Sequence, residues 1–195
     1  FREEWRGKEP GWFNAPVPGF GPTSAPLLVV GLAPGLRGAN RTGRPFTGDF
    51  AGDLLYGTLL KFGFATGTYG ATPDDGLTLQ GARIVNAVRC VPPQNKPTPE
   101  EIRTCQGFLT GAMGEMASLK AVVTLGKIAH DSTLKALGAR ASTLRFGHGV
   151  SGDIGGVRVF ASYHCSRYNT NTGVLTEAMF HTVFTAARAY VDKHA

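Results

Sequence analysis

Four short apolar runs, spread along the chain, limit its fold more than any other feature. Leu27-Leu28-Val29-Val30 runs into Gly31, and Ala82-Arg83-Ile84-Val85-Asn86-Ala87-Val88 stops shortly before Pro92-Pro93. Ala121-Val122-Val123-Thr124-Leu125 reaches Gly126, and Val157-Arg158-Val159-Phe160-Ala161-Ser162 leads into Tyr163. Each run has the length of a buried strand and is too short for a helix. Helical patterns lie between and after them. Asp53 to Phe62 carries apolar residues at helical spacing and stops at Gly63. Thr98-Pro99-Glu100-Glu101 opens another helix, with Thr98 as cap, Pro99 at the first position and Glu101 completing a capping box. Gly126-Lys127 starts a third, and near the end Met179, Val183, Ala187 and Tyr190 share one helical face. Strands alternating with helices predict an α/β fold, a parallel sheet between helices.

The chain has 195 residues, 42% of them hydrophobic, which suits one domain over 1–195 with a continuous core. The Gly-rich stretch from Gly67 to Gly81 reads as an exposed loop. No apolar run approaches the ~20 residues a membrane helix needs. Three cysteines do not make a secreted disulfide framework, so a reducing, intracellular compartment is expected.

In parallel sheets ligands bind beyond the carboxyl ends of the strands. Two polar loops fall there. The first is Gly31-Leu32-Ala33-Pro34-Gly35, followed by Asn40-Arg41-Thr42-Gly43-Arg44-Pro45-Phe46-Thr47-Gly48-Asp49. The second is His164-Cys165-Ser166-Arg167-Tyr168-Asn169-Thr170-Asn171-Thr172-Gly173, without one aliphatic side chain. A ring, a guanidinium, hydroxyls and amides used together suit a ligand-facing loop. The two loops imply one site at the edge of the sheet.

Within them, His164 stands at the end of a core strand, where an imidazole can donate to an oxygen that becomes negative. Asp49, just before a helix, reads either as its N-cap or as a carboxylate that orients or deprotonates water. Phe46 is a core plug or a stacking surface for a flat ligand. Asn86 interrupts an apolar strand, and its buried amide needs partners that a base edge would provide. The chain lacks the phosphate-binding loop, the dinucleotide fingerprint, the nucleophile elbow, His-Glu-x-x-His and Cys-x-x-Cys, which argues against a hydrolase triad or zinc chemistry. A net charge of +6 fits a polyanionic partner. Arg41, Arg44, Lys96, Lys127 and Arg167 fall near the same sheet edge, either as solvated surface charges without a role or as a ring about a base pocket, holding phosphates on either side of an extruded nucleotide.

These segments, with Pro16-Val17-Pro18-Gly19-Phe20-Gly21, Ala87-Val88-Arg89-Cys90-Val91-Pro92-Pro93 and Asn95-Lys96-Pro97-Thr98-Pro99-Glu100-Glu101, resemble the type B, or family five, uracil-DNA glycosylases in the family's order. The resemblance implies a three-layer α/β/α fold with a four-stranded parallel sheet. It implies a monofunctional base-excision-repair enzyme that flips uracil out of double-stranded DNA and hydrolyses its N-glycosidic bond. The expected setting is the cytoplasm of a bacterium or archaeon, at the nucleoid, with the enzyme a monomer and no membrane partner. Asp49 and His164 would be catalytic. Gly31, Ala33, Phe46, Asn86 and His164 would hold the base, Phe46 by stacking and Asn86 by reading its Watson–Crick edge. Asn40, Arg41, Arg44, Lys96, Lys127, Arg167, Tyr168 and Asn169 would contact DNA, with Arg167 or Tyr168 near the vacated stack.

Two departures from related glycosylases stand out. Leu32 replaces an acidic or amide side chain, which puts more demand on Asp49, and acceptance of other damaged bases such as hypoxanthine is a family expectation. A [4Fe-4S] cluster in this family takes four cysteines, of which Cys90 and Cys105 match two; the others are expected upstream of Phe1, which is not a Met. The competing view of Cys90 and Cys105 is two buried thiols. The competing functions are a non-catalytic protein that binds damaged nucleic acid, and a nucleoside hydrolase.

Overall fold

The four apolar runs pair as parallel neighbours of one sheet in a computed structural model that describes residues 1–195. In chain order the elements are α1 (Arg2–Lys8), β1 (Leu27–Gly31), α2 (Ala39–Thr42), α3 (Phe50–Lys61), β2 (Ala65–Thr66), β3 (Thr78–Leu79), β4 (Ala82–Asn86), α4 (Pro99–Gly114), β5 (Ala121–Leu125), α5 (Lys127–Ala136), β6 (Ser151–Ile154), β7 (Val157–Ser162), α6 (Arg167–Asn171) and α7 (Glu177–Lys193). The sheet runs β4-β1-β5-β7-β6. Its first four strands are parallel, as expected, and β6 adds an antiparallel edge on β7. Ser151-Gly152-Asp153 carries no apolar run, so nothing in its pattern announces a strand. The hairpin exists because Gly155 and Gly156 both take positive φ, 58° and 83°, as a tight reversal with the strands' own twist requires.

Alternate strand residues face opposite layers. Leu27, Val29, Ile84 and Val123 pack with Leu55 and Leu59 of α3 and Phe180 and Phe184 of α7. Leu28, Val30, Val85 and Val122 pack with Leu109 and Met113 of α4 and Ala129 of α5. A fully buried Leu or Phe of this kind contributes about 1.5–3 kcal/mol relative to exposure. The result is three layers, α/β/α.

The helices begin where their caps dictate. Thr98 Oγ1 accepts from the Glu101 N–H at 3.2 Å while the Thr98 N–H donates to Glu101 Oε2 at 2.6 Å, the expected capping box. α3 begins at Phe50, ahead of the expected Asp53, because Asp49 caps it. The core stripe of α7 is Phe180, Val183, Phe184, Ala187 and Val191, so Met179 and Tyr190 flank the buried face and do not form it. The Gly67–Gly81 stretch also departs from expectation. It returns as β3 to pair with β2 just before it, buries Leu77 and Leu79, and turns the Asp75 side chain inward. No helix is long and apolar enough to cross a membrane.

Candidate active site

Parallel pairing brings the ends of β1, β4 and β7 to one side of the sheet, and the strand order reverses at β1, the place where such sheets open a crevice. A cavity of about 730 Å³ lies there, lined among others by Ala33, Phe46, Asp49, Asn86, His164 and Arg167. β5 separates β1 from β7. The two polar loops therefore meet over the sheet's carboxyl end, not at its edge as their sequence suggested.

Register sets the first contact. Gly31 pairs with Asn86 across β1 and β4. A Cβ on Gly31 would stand 2.5 Å from both Asn86 Oδ1 and Phe46 Cζ, so only glycine lets ring and amide meet there. Asn86 is 5% exposed and its Oδ1 has no hydrogen-bond partner. A buried, unsatisfied acceptor costs about 1–3 kcal/mol, which a ligand donor would recover. Phe46 is buried and takes φ 55°, a left-handed conformation costing a residue with a Cβ about 1–2 kcal/mol. Its ring lies 6.1 Å from the His164 ring at 28°, near parallel. One flat amide-bearing ligand can thus meet an aromatic face, an imidazole and an amide edge together.

Asp49 caps a helix and also borders the cavity. Its Oδ1 accepts from the Gly52 N–H at 3.1 Å, capping α3. Its Oδ2 faces Gly35 and Gly38, where added Cβ atoms would lie 3.2 and 2.6 Å away. Burial pushes its pKa up against the pull of the Gly52 N–H, and Asp53 adds to the rise. A carboxylate of raised basicity beside a cavity can take a proton from water. His164 moves the other way. Burial alone lowers its pKa to about 4, so at neutral pH the ring is uncharged and can donate one N–H. Cys165, beside it, is fully buried, and burial raises its pKa, so it stays a neutral thiol.

The expected DNA-contacting residues divide. Arg167 lines the cavity, its guanidinium 5.3 Å from the Phe50 ring centre. Tyr168 is 74% exposed at the start of α6. Arg41 is exposed, its guanidinium against Gly48. Lys96 is exposed beside the cavity-lining Asn95, and Lys127 is exposed but paired with Asp131. Three others point inward. Arg44 is 4% exposed and makes two bonds to Asp75, at 2.9 and 2.7 Å. Asn40 is fully buried, its Nδ2 donating to Asn14 Oδ1 at 2.9 Å. The Asn169 Nδ2 donates to the His164 carbonyl at 2.8 Å and ties α6 to the strand end. The Arg44 guanidinium and the Asn40 amide nitrogen are bonded inside the fold, which corrects the expectation that these two side chains contact DNA, although Asn40 Oδ1 has no partner; Asn169 is a tie within the loop.

Sequence reasoning missed cavity-lining Arg37, Asn95 and Ser166. Arg37 lies two residues after the first glycine motif and could have been found there. Asn95 owes its position to successive positive φ values at Gln94 and Asn95, 53° and 56°, which no composition signal reveals. Cys90 is half-buried and accepts from Arg2 Nη1 at 3.1 Å, and Cys105 is buried. No group of three or more His, Cys, Asp or Glu stands together to hold a metal.

The family model of the uracil DNA glycosylase superfamily matches residues 18–188. A type-5 uracil-DNA glycosylase of Thermus thermophilus is 46% identical over 181 residues, 92% of this chain and 82% of that protein. One of Pyrobaculum aerophilum is 44% identical over 165 residues, 85% of this chain and 72% of that protein. A type-4 uracil-DNA glycosylase of Archaeoglobus fulgidus is 35% identical over 114 residues, 58% of this chain and 49% of that protein.

Proposed function

Because the chain belongs to the uracil DNA glycosylase superfamily, we propose that it excises uracil from double-stranded DNA by hydrolysing the N-glycosidic bond, as a monomer of one domain. The observation that carries this is the meeting of Phe46, Asn86 and His164 in one cavity, with the Asn86 Oδ1 buried and unpaired. A base must leave the stack to enter such a cavity, at a few kcal/mol, least where it is mispaired. Phe46 then covers one face of the base. Asn86 Oδ1 accepts from the ring N3–H, and its Nδ2 is free to donate to the neighbouring oxygen.

Cleavage breaks the bond between the sugar C1′ and N1, and the electron pair leaves with uracil. The neutral His164 donates its N–H to the uracil oxygen on which the negative charge collects. Asp49, through Oδ2, positions a water and takes its proton as the oxygen bonds to C1′. The carboxylate also offsets positive charge on the sugar during the loss. Leu32 offers neither charge nor hydrogen bond, so Asp49 carries the water chemistry. With no polar contact from Leu32 the site is less exacting, which supports acceptance of other damaged bases such as hypoxanthine. Arg37, Arg41, Lys96 and Arg167 stand free around the mouth to meet phosphates.

The iron–sulfur expectation rests on Cys90 and Cys105. A [4Fe–4S] cluster takes four thiolates, and these residues supply two with no third donor grouped beside them. The chain as it stands does not fit the cluster, and no step here depends on one.

Incubation with a duplex carrying one uracil, followed by alkali, tests the function. Strand breakage at the uracil is expected. A gel shift without breakage would favour a damage-binding protein, and turnover of free nucleoside alone a nucleoside hydrolase.

A further inference from the structure

The backbone around Phe46 is gripped from a part of the chain that never reaches the cavity. The Tyr56 hydroxyl donates to the Pro45 carbonyl at 2.6 Å, and the Tyr69 hydroxyl donates to the Phe46 carbonyl at 3.1 Å. Arg44 donates through Nε to Thr47 Oγ1 at 2.7 Å, bracketing Pro45 and Phe46, and through both terminal nitrogens to Asp75. Both members of this ion pair are 4% exposed. The Arg44 guanidinium lies 5.1, 5.2 and 5.8 Å from the ring centres of Phe20, Tyr56 and Tyr69. Asp75 also accepts from the N–H groups of Gly70 and Leu77, so it fastens the whole 67–81 segment to the loop. Arg44 holds its carboxyl far below the usual carboxylate range.

We propose that Asp75 and Tyr69 are positioning residues for catalysis, holding Phe46 in its left-handed conformation so that its ring stays parallel to His164. This rests on the proposal that Phe46 stacks on the flipped base. Without the grip, a Phe with positive φ relaxes to ordinary backbone angles and its ring leaves the cavity wall. The strain is sustained by bonds on both flanking carbonyls and by an ion pair whose side chains are almost withdrawn from water. Tyr69 and Asp75 are absent from the cavity lining, so any effect they have on rate passes through the 44–49 loop that carries Phe46.

The test compares Tyr69→Phe, Asp75→Asn and Phe46→Ala in the full chain. Single-turnover uracil release, KM for the duplex and thermal unfolding are measured for each. Tyr69→Phe keeps the ring beside Tyr56 and Arg44 and removes only the hydroxyl. Its rate constant is expected to fall about 10-fold, with KM and Tm close to wild type, since small misplacement near reacting groups lowers rate by such factors. Asp75→Asn is expected to lose more, about 100-fold, at a temperature where it remains folded. Wild-type rates in folded Tyr69→Phe, or a rise in KM alone, would overturn the positioning role. Should Asp75→Asn fail to fold, Tyr69→Phe decides. A wild-type rate in Phe46→Ala would instead remove the stacking proposal, and loss in Phe46→Ala with none in Tyr69→Phe would remove only this inference.

Discussion

Asp49 shows how one side chain can serve stability and chemistry at the same time, with opposite demands on its charge. One oxygen caps α3 and favours the ionised form, while burial opposes that form and wins. A carboxylate whose folded pKa lies above its unfolded value contributes stability in acid, and that contribution is lost as pH rises through the folded value. At neutral pH the charge is therefore a cost. Asp49→Asn keeps a capping oxygen and removes the charge. Its Tm at pH 7 should equal or exceed wild type, while uracil release falls by about 10²–10⁴. A lowered Tm with full activity would show a cap and nothing more. His164 stays neutral down to about 4, so it adds no step near the ordinary histidine value. Asp49, raised by burial, should add its own step to the acid limb of the pH–rate profile, and a limb unchanged in position and steepness in the residual activity of Asp49→Asn would contradict its role as base. As residues in sequence, Phe46, Asn86 and His164 were visible because each breaks a local rule: an aromatic in a polar loop, an amide in an apolar strand, an imidazole at a strand end. Arg44 broke none, and its burial against Asp75 depends on a residue 31 positions away.

Elements were legible where their signals are local. The box around Thr98 lies within four residues and starts α4 where it was expected. Thr98→Ala removes the acceptor for the Glu101 N–H, at about 1 kcal/mol, and should lower Tm by about 2–4 °C in a chain of this size. An unchanged Tm in calorimetry would mean that packing through Leu109 and Met113 alone holds the helix. β6 and the pair β2–β3 escaped notice because their strands are two to four residues long and exist through partners, not through periodicity. The 67–81 segment looked like a loop for the same reason. Its buried contacts, Leu77, Leu79 and Asp75, are spaced too sparsely to form a pattern.

For the whole molecule, the net charge of +6 matters only where its cations are free and grouped. Arg37 and Arg167 both line the cavity. Arg44 is consumed by Asp75 and Lys127 by Asp131. Arg37→Ala should weaken binding to uracil-free duplex and lower the slope of log Kd against log salt by about 0.9, as loss of one phosphate contact requires. Anisotropy titrations between low and moderate salt would show it, and an unchanged slope would place Arg37 off the DNA path. The amino-acid sequence by itself determined the four parallel strands, the helices between them and the loops that carry chemistry, because apolar periodicity, caps and turn residues act over a few positions. Only the tertiary structure decided that loops after β1 and β7 meet above β5, that Arg44 faces inward, and that the ring of Phe46 lies beside His164. Those outcomes depend on sheet order and on contacts between distant residues, and short-range preferences carry no information about which distant partner will be there.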